Sequence, residues 1–233
     1  MEAAEMAEKA GIIESFKRIP KHIGIIPDGN RRWAVNHKME KHEGYSCGVE
    51  PGVKLCEQLL AYGVEEVTFY GFTKDNTNRP AIQTEAYTQA CIQAVNAVAN
   101  KDADILVIGK TDSKLFPEEL MKYANQRVKF GKSLLKANFL VNYDWNWDLM
   151  QGCSPAQAAN TSKNMLDRIA SKEISRMDLI IRWGGRTRLS GFLPAQSVYS
   201  DFYVVNEYWP DFQEEHFLAA LRWYQDCDVT LGG

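Results

Sequence analysis

The sequence predicts an α/β fold, a single domain on a mostly parallel central sheet of about six strands covered by helices on both faces. Three observations carry this. Short apolar runs rich in β-branched residues recur at 22–27, 64–72, 105–108, 139–143, 179–182 and 202–205. Most are separated by stretches with helical apolar spacing. The 233 residues are 45% hydrophobic and 24% charged and show no repeat, low-complexity tract or linker, which suits one unit with a sizeable core.

Taken in order, residues 1–20 read as an N-terminal helix or tail in which Ile12, Ile13 and Phe16 can dock, and 21–233 as the domain. After the first strand, 31–38 starts a helix, and Gly44, Gly48, Pro51 and Gly52 predict a loop over 39–50. Residues 53–62 carry helical spacing and stop at Gly63. The second strand leads through a polar turn to an alanine-rich helix over 84–100. The spacing predicts a further helix over 117–136, with Glu118 and Glu119 in its first turn. A helix and a polar stretch over 153–177 follow the fourth strand, and 213–226 closes the chain as a helix.

A net charge of −3 excludes bulk nucleic-acid binding, so basic clusters must act locally. Five scattered cysteines with no CxxC pair suggest neither zinc nor a disulfide framework, and point to a reducing, cytoplasmic setting. No apolar run approaches the roughly 20 residues of a membrane span, and the acidic start is unlike a secretion signal. Membrane contact is at most peripheral.

Two stretches carry chemistry. In Ile23-Gly24-Ile25-Ile26-Pro27-Asp28-Gly29-Asn30-Arg31-Arg32-Trp33 a strand feeds a helix through a tight turn, leaving backbone N–H groups free at the helix start, where an anion is favoured. Arg31 and Arg32 add charged forks suited to phosphate oxygens. Asp28 repels phosphate unless a cation lies between them, and carboxylate, Mg²⁺ and diphosphate reconcile the charges. The second stretch, 178–192, runs from strand to a loop holding Arg182, Arg186, Arg188 and Ser190. On composition alone, an ordinary Asp-Gly turn and a solvated basic loop remain the alternatives. No Gly-x-x-x-x-Gly-Lys-Ser/Thr loop supports P-loop nucleotide chemistry.

His22 to Ala34 resembles the signature of the cis-prenyltransferases, the undecaprenyl diphosphate synthase family. Phe72-Thr73-Lys74-Asp75-Asn76-Thr77-Asn78-Arg79-Pro80 resembles its Phe-Ser-x-Glu-Asn-x-x-Arg-Pro block. Asp178 to Phe192, Gln196 to Tyr203 and Trp209-Pro210-Asp211-Phe212 resemble its C-terminal signature. The resemblance implies a homodimer in which an allylic diphosphate, five to fifteen carbons long, meets isopentenyl diphosphate or a second allylic diphosphate, with Mg²⁺ near Asp28. By position, Asp28, Gly29, Asn30, Arg31 and Arg32 would hold the allylic diphosphate and metal. Arg182, Arg188 and Ser190 match the homoallylic diphosphate site. Asp201 falls where the family has a metal-binding Glu, and Asn76 and Arg79 lie beside the reacting diphosphate. Asp28 and Asn76 are thus the candidate catalytic residues.

Departures from the family direct the product. The usual Arg and His after the first helix align with Lys41 and Tyr45; Thr-Gly-Gly-Glu-x-Arg becomes Trp183-Gly184-Gly185-Arg186-Thr187-Arg188; and the closing Arg-x-Gly becomes Thr230-Leu231-Gly232. Trp145 and Trp183 both follow strand ends, where an indole facing the reacting carbon would bias a cation. The expectation is a Mg²⁺-dependent prenyl diphosphate transferase giving a short or irregular product, branched or cyclised. A terpene synthase ionising one prenyl diphosphate and a non-catalytic partner subunit are the alternatives.

Overall fold

In the computed structural model, which describes residues 14–99, 101–153 and 164–228, the six apolar runs form one sheet. Its strands are β1 (His22–Ile26), β2 (Glu66–Tyr70), β3 (Ala103–Ile108), β4 (Leu135–Leu140), β5 (Leu179–Arg182) and β6 (Asp201–Val204). They lie in the order β3-β4-β2-β1-β5-β6, and every neighbouring pair is parallel. Among the described residues five α-helices accompany them: α1 (Asn30–Asn36), α2 (Val49–Ala61), α3 (Ala81–Ala99), α4 (Trp145–Gly152) and α5 (Glu214–Gln225). After β1 the chain builds the sheet toward β3, and from β4 it crosses to the other side of β1 to place β5. The loops leaving β1 and β5 therefore diverge at adjacent strand ends, which is where open parallel sheets bind ligands.

Strand alternation divides the core. Ile23 and Ile25 of β1, Val67 and Phe69 of β2 and Leu179 and Ile181 of β5 face Leu55 and Leu59 of α2, Val95 of α3 and Phe217 and Leu221 of α5. Ile26, Leu106, Ile108, Leu140 and Ile180 face the other way, under Ile174, Met177, Phe192 and Leu193, with Trp147 of α4 at the margin. Both faces are covered, one by long helices and the other by α4 and irregular chain. Each fully buried aliphatic side chain contributes about 1.5–3 kcal/mol, so both layers matter to stability.

The expected helix over 117–136 does not form. A 3₁₀ turn (Glu118–Tyr123) buries Leu120 and Tyr123, and Asn125 then turns left-handed at φ 57°. Backbone at 124–128 pairs with the edge strand β3 instead: Ile105 N donates to Val128 O and Val128 N to Ile105 O, both at 2.8 Å. Covering an exposed strand edge outweighs local helical spacing. The strand expected at 139–143 begins at Leu135 for the same reason, since β3 offers it a full register of partners. Conversely α2 starts at Val49, before Pro51 and Gly52, because a proline in the first helical turn lacks only an N–H that would have had no partner. The loop before it holds a 3₁₀ turn (Glu43–Gly48). Of the expected N-terminal helix, 14–20 is non-helical, and Phe16 docks edge-on against Tyr62 at 5.7 Å. Ile12, Ile13, residues 154–163 of the polar stretch, and Thr230-Leu231-Gly232 lie outside the described residues. Among the described residues no helix is long and apolar enough to cross a membrane.

Candidate active site

The loops after β1, β2 and β5 enclose a cleft of about 350 Å³ at the carboxyl end of the sheet. Six arginines line it, Arg31, Arg32, Arg79, Arg182, Arg186 and Arg188, against two carboxylates, Asp28 and Asp75. That excess of positive charge is what a multiply charged anion needs.

Asp28 follows β1 after Pro27, and the backbone bends through Gly29 at φ 109°. A Cβ there would lie 2.6 Å from the Tyr208 ring, so only glycine permits the close approach. The segment after β6 fastens this turn. Trp209 N donates to Asp28 O at 3.0 Å, Trp209 Nε1 to Gly48 O at 2.7 Å, and Trp33 Nε1 to Asp211 Oδ1 at 2.6 Å. The Asp28 carboxylate receives Arg182 Nη2 at 2.8 Å on one oxygen and Arg32 Nη2 at 3.3 Å on the other. Burial pushes its pKa up, but the hydrogen bond and charge of Arg182, with the charge of Arg32, outweigh this and hold it below the ordinary value. Asp28 is therefore an anion at neutral pH and no proton donor.

Arg182, almost fully buried at the end of β5, is the hub of the second loop. Its Nη1 donates to Ser190 Oγ at 3.1 Å and to Arg188 O, while Nη2 holds Asp28. Ser190 sits at φ 54°, and Tyr70 Oη donates to its carbonyl at 2.6 Å. Arg32 also reaches across, donating to Gly184 O at 3.0 Å, so the two loops expected from sequence are one linked wall. Opposite, the 3₁₀ turn after β2 (Lys74–Asn78) is closed by a reciprocal cap in which Thr73 N donates to Asn76 Oδ1 at 3.2 Å. That cap points Asn76 and Asp75 into the cleft and leaves the Asn76 amide protons unused by it. Arg79 Nη1 donates to Tyr45 Oη at 2.7 Å.

Beneath the cleft, between α2, α3 and the sheet, lies a second cavity of about 70 Å³ lined by apolar side chains such as Val53, Phe69, Ala94 and Phe139. A polar cleft opening on an apolar pocket fits a molecule with an anionic head and a hydrocarbon tail.

The structure thus brings Asp28, Gly29, Asn30, Arg31, Arg32, Tyr45, Asn76, Arg79, Arg182, Arg188 and Ser190 to one cleft. Asn30 is nearly buried, and its Nδ2 donates to Pro27 O at 3.0 Å, so it holds the turn as well as lining the cleft. Four expected contacts are not brought there. Trp183 is fully buried against Trp209, 4.8 Å away, and Phe212, because alternation after Arg182 turns it to the helical face. Trp145, 47% exposed, covers Gly191 outside the cleft. Lys41 lines a neighbouring surface groove with Val35 and Tyr208. Asp201 begins β6 level with Leu179, at the amino end of the sheet and away from Asp28, where burial raises its pKa. Sequence reasoning missed Tyr70 and Tyr87. The first could have been found as the last residue of its strand; the second lies on an alanine-rich helix with no local signal.

Among the described residues no three His, Cys, Asp or Glu side chains cluster around a possible ion. One carboxylate facing an arginine-lined cleft nevertheless fits Mg²⁺, which keeps waters and takes phosphate oxygens for its other positions.

Comparisons with known proteins place the chain in a family. The family described as "Putative undecaprenyl diphosphate synthase" matches residues 26–232. A ditrans,polycis-undecaprenyl-diphosphate synthase of Yersinia pseudotuberculosis, specific for (2E,6E)-farnesyl diphosphate, is 30% identical over 232 residues, covering 93% of this chain and 91% of that protein. The Escherichia coli enzyme of the same name is 28% identical over 229 residues, covering 91% and 90%. Among solved structures, lavandulyl diphosphate synthase from Lavandula x intermedia, in complex with dimethylallyl diphosphate, matches with a TM-score of 0.79 at 20% identity, covering 92% of this chain and 98% of that one. At that identity the likeness is one of fold. The chain belongs to the undecaprenyl diphosphate synthase family of prenyltransferases.

Proposed function

We propose that this protein is a Mg²⁺-dependent prenyltransferase that joins a short allylic diphosphate to a second short diphosphate. The observation that carries the reading is the single cleft lined by six arginines from three loops, with a small apolar cavity beneath. Two arginine groups, one after β1 and one on the loop after β5, favour two diphosphates over the one that a terpene synthase would ionise. The small cavity favours a short hydrocarbon over a polyprenyl chain.

In this reading the allylic C–O bond breaks, its electron pair leaves with the diphosphate, and the double bond of the second substrate attacks the allylic carbon. Arg31, Arg32 and Arg79 neutralise the leaving diphosphate; Asp28 would hold Mg²⁺, which when bound would supply further positive charge against the charge that develops there. Arg182, Arg188 and Ser190 hold the second diphosphate. Tyr45, Tyr70 and Tyr87 offer ring faces to an electron-poor carbon, and Asn76 orients the reacting diphosphate. The protein works as a homodimer.

The test is incubation with Mg²⁺ and dimethylallyl, geranyl or farnesyl diphosphate, each with and without isopentenyl diphosphate, followed by chromatography. Short prenyl diphosphates are expected, and coupling of dimethylallyl diphosphate alone marks irregular, branched chemistry. Polyprenyl products overturn the short-chain reading, and release of a hydrocarbon from one substrate overturns transfer.

A further inference from the structure

The loop after β5 reaches the cleft through a turn that its own residues hold poorly. Ser190 and Gly191 are both left-handed, at φ 54° and φ 81°, and Phe192 N closes the turn on Leu189 O at 3.1 Å. Glycine takes that backbone freely, but a serine resists it because its Cβ crowds the following carbonyl. The placement matters, since Ser190 Oγ and the Arg188 carbonyl both accept from Arg182 Nη1.

Two side chains from neighbouring elements press on this turn. On the cleft side Tyr70, the last residue of β2, donates its Oη to Ser190 O at 2.6 Å. Its ring also lies 5.0 Å from that of Phe192. On the outer side the Trp145 indole covers Gly191 so closely that a Cβ on that glycine would lie 2.5 Å from Trp145 Cδ1. The indole is half-exposed and belongs to neither core layer, so core packing does not account for it. Its backbone is fixed. Trp145 opens α4, whose N-cap Asp144 accepts Asn146 N at 3.0 Å and pairs with Lys74 Nζ at 3.1 Å. Lys74 N donates in turn to Tyr143 O at 2.9 Å, which ties the start of α4 to the turn that carries Asn76.

We infer that Tyr70 and Trp145 are positioning residues that clamp the Ser190–Gly191 turn from two sides and so set how tightly the loop after β5 grips the second diphosphate. The clamp rests on the reading that this loop receives that diphosphate. While it is closed, Ser190 Oγ, Arg182 and Arg188 are arranged before the substrate arrives, and binding need not order them. With either side removed, the serine relaxes toward right-handed backbone and its hydroxyl leaves Arg182. The allylic diphosphate is spared, because Arg31 and Arg32 stand on α1, which the segment after β6 fastens independently.

The test is steady-state kinetics on the intact protein with Mg²⁺. Dimethylallyl or geranyl diphosphate probes the allylic site and isopentenyl diphosphate the second. The second site is read by the Michaelis constant of isopentenyl diphosphate or, if that compound is not joined, by its inhibition constant against self-coupling of the allylic substrate. Trp145→Ala and Tyr70→Phe each raise that constant at least about fivefold, the scale of one net hydrogen bond, and shift the allylic constant less than about twofold. Trp145→Phe keeps a ring over Gly191 and recovers most of the grip. Because both side chains act on one turn, Trp145→Ala with Tyr70→Phe falls short of the product of the two effects. An unchanged constant for isopentenyl diphosphate, or equal rises for both substrates, overturns the inference. Should Trp145→Ala fail to fold by circular dichroism, Tyr70→Phe, which removes only a hydroxyl, decides by the same criterion. If the wild-type protein couples neither allylic diphosphate to itself or to isopentenyl diphosphate, the prenyltransferase reading falls and takes the clamp with it. If it does couple them and the variants leave the second site alone, only the clamp falls.

Discussion

Asp28 has two cationic partners, and this decides what its replacement does. Arg182 is buried, so losing the carboxylate leaves a guanidinium with an incomplete set of acceptors, although Ser190 and the Arg188 carbonyl remain. Asp28→Asn keeps an acceptor at that point and removes the charge that fits a metal. Turnover should fall at least about a hundredfold, about 3 kcal/mol in the barrier, with little change in the circular dichroism spectrum. Near-normal turnover in a steady-state assay would remove the metal role. Arg188 and Arg182 should behave differently from one another. Arg188→Ala touches only the second loop and should raise the Michaelis constant for the second substrate more than for the allylic one. Arg182→Ala also frees Asp28 and should raise both, and the two constants measured side by side check this. These residues were legible because they follow strand ends, where a parallel sheet gathers its chemistry. Trp183 shares that sequence position but not that geometry. Counting parity from Ile181, which faces the helices, would have turned Trp183 away from the cleft.

The elements that shape the site are short, and their turns bear the constraint. The β1–α1 turn depends on Gly29, where an alanine would take a left-handed backbone and press its Cβ into the Tyr208 ring. Gly29→Ala should cost about 1–3 kcal/mol of stability from the backbone alone, read as a lower urea midpoint at unchanged slope. Activity should fall with it, because Tyr208 cannot move without disturbing the neighbouring Trp209 N–H to Asp28 bond. A midpoint equal to that of wild type would mean the turn relaxes freely. At this scale the sequence was readable where apolar period and punctuation agreed, as at the end of α2 before Gly63. It misled at 117–136, where helical spacing competed with an open strand edge far away in sequence. Local pattern holds no information about that edge, since β3 becomes an edge only once the order β3-β4-β2 is set.

The whole molecule separates chemistry from stability along the strands. The charge of the cleft sits at the carboxyl end, and a buried polar layer sits nearer the amino end, built from residues that drew little notice in the sequence. His22, 1% exposed, has Nδ1 2.9 Å from Ser175 O and Nε2 2.8 Å from Thr68 Oγ1. Asn138 Nδ2 donates to Thr68 Oγ1 at 2.9 Å and to Glu66 Oε1 at 2.7 Å, and Arg127 Nη2 donates to Asn138 Oδ1 at 2.8 Å. With Nδ1 donating to the carbonyl, Nε2 accepts the Thr68 proton and the ring is neutral. Burial lowers the His22 pKa, and the charges of Glu66 and Asp178, with hydrogen bonds to the backbone at Ser175 and Arg176, oppose this without cancelling it. A folded-state pKa below the unfolded one means that the unfolded chain binds the proton more readily. The stability tied to His22 is therefore complete above about pH 6.5 and is lost as pH falls from there through the lowered folded value. The ordinary histidine value of about 6.5 lies inside the interval from about pH 7 to pH 5, and Asp28, held below the ordinary carboxylate value, titrates beneath it. The thermal midpoint should decline across that interval. His22→Gln should start lower at about pH 8, having lost one end of the network, and then decline less steeply. If the variant falls as steeply as the wild type, another group owns the acid sensitivity, and the buried layer at the amino end does no more than pack.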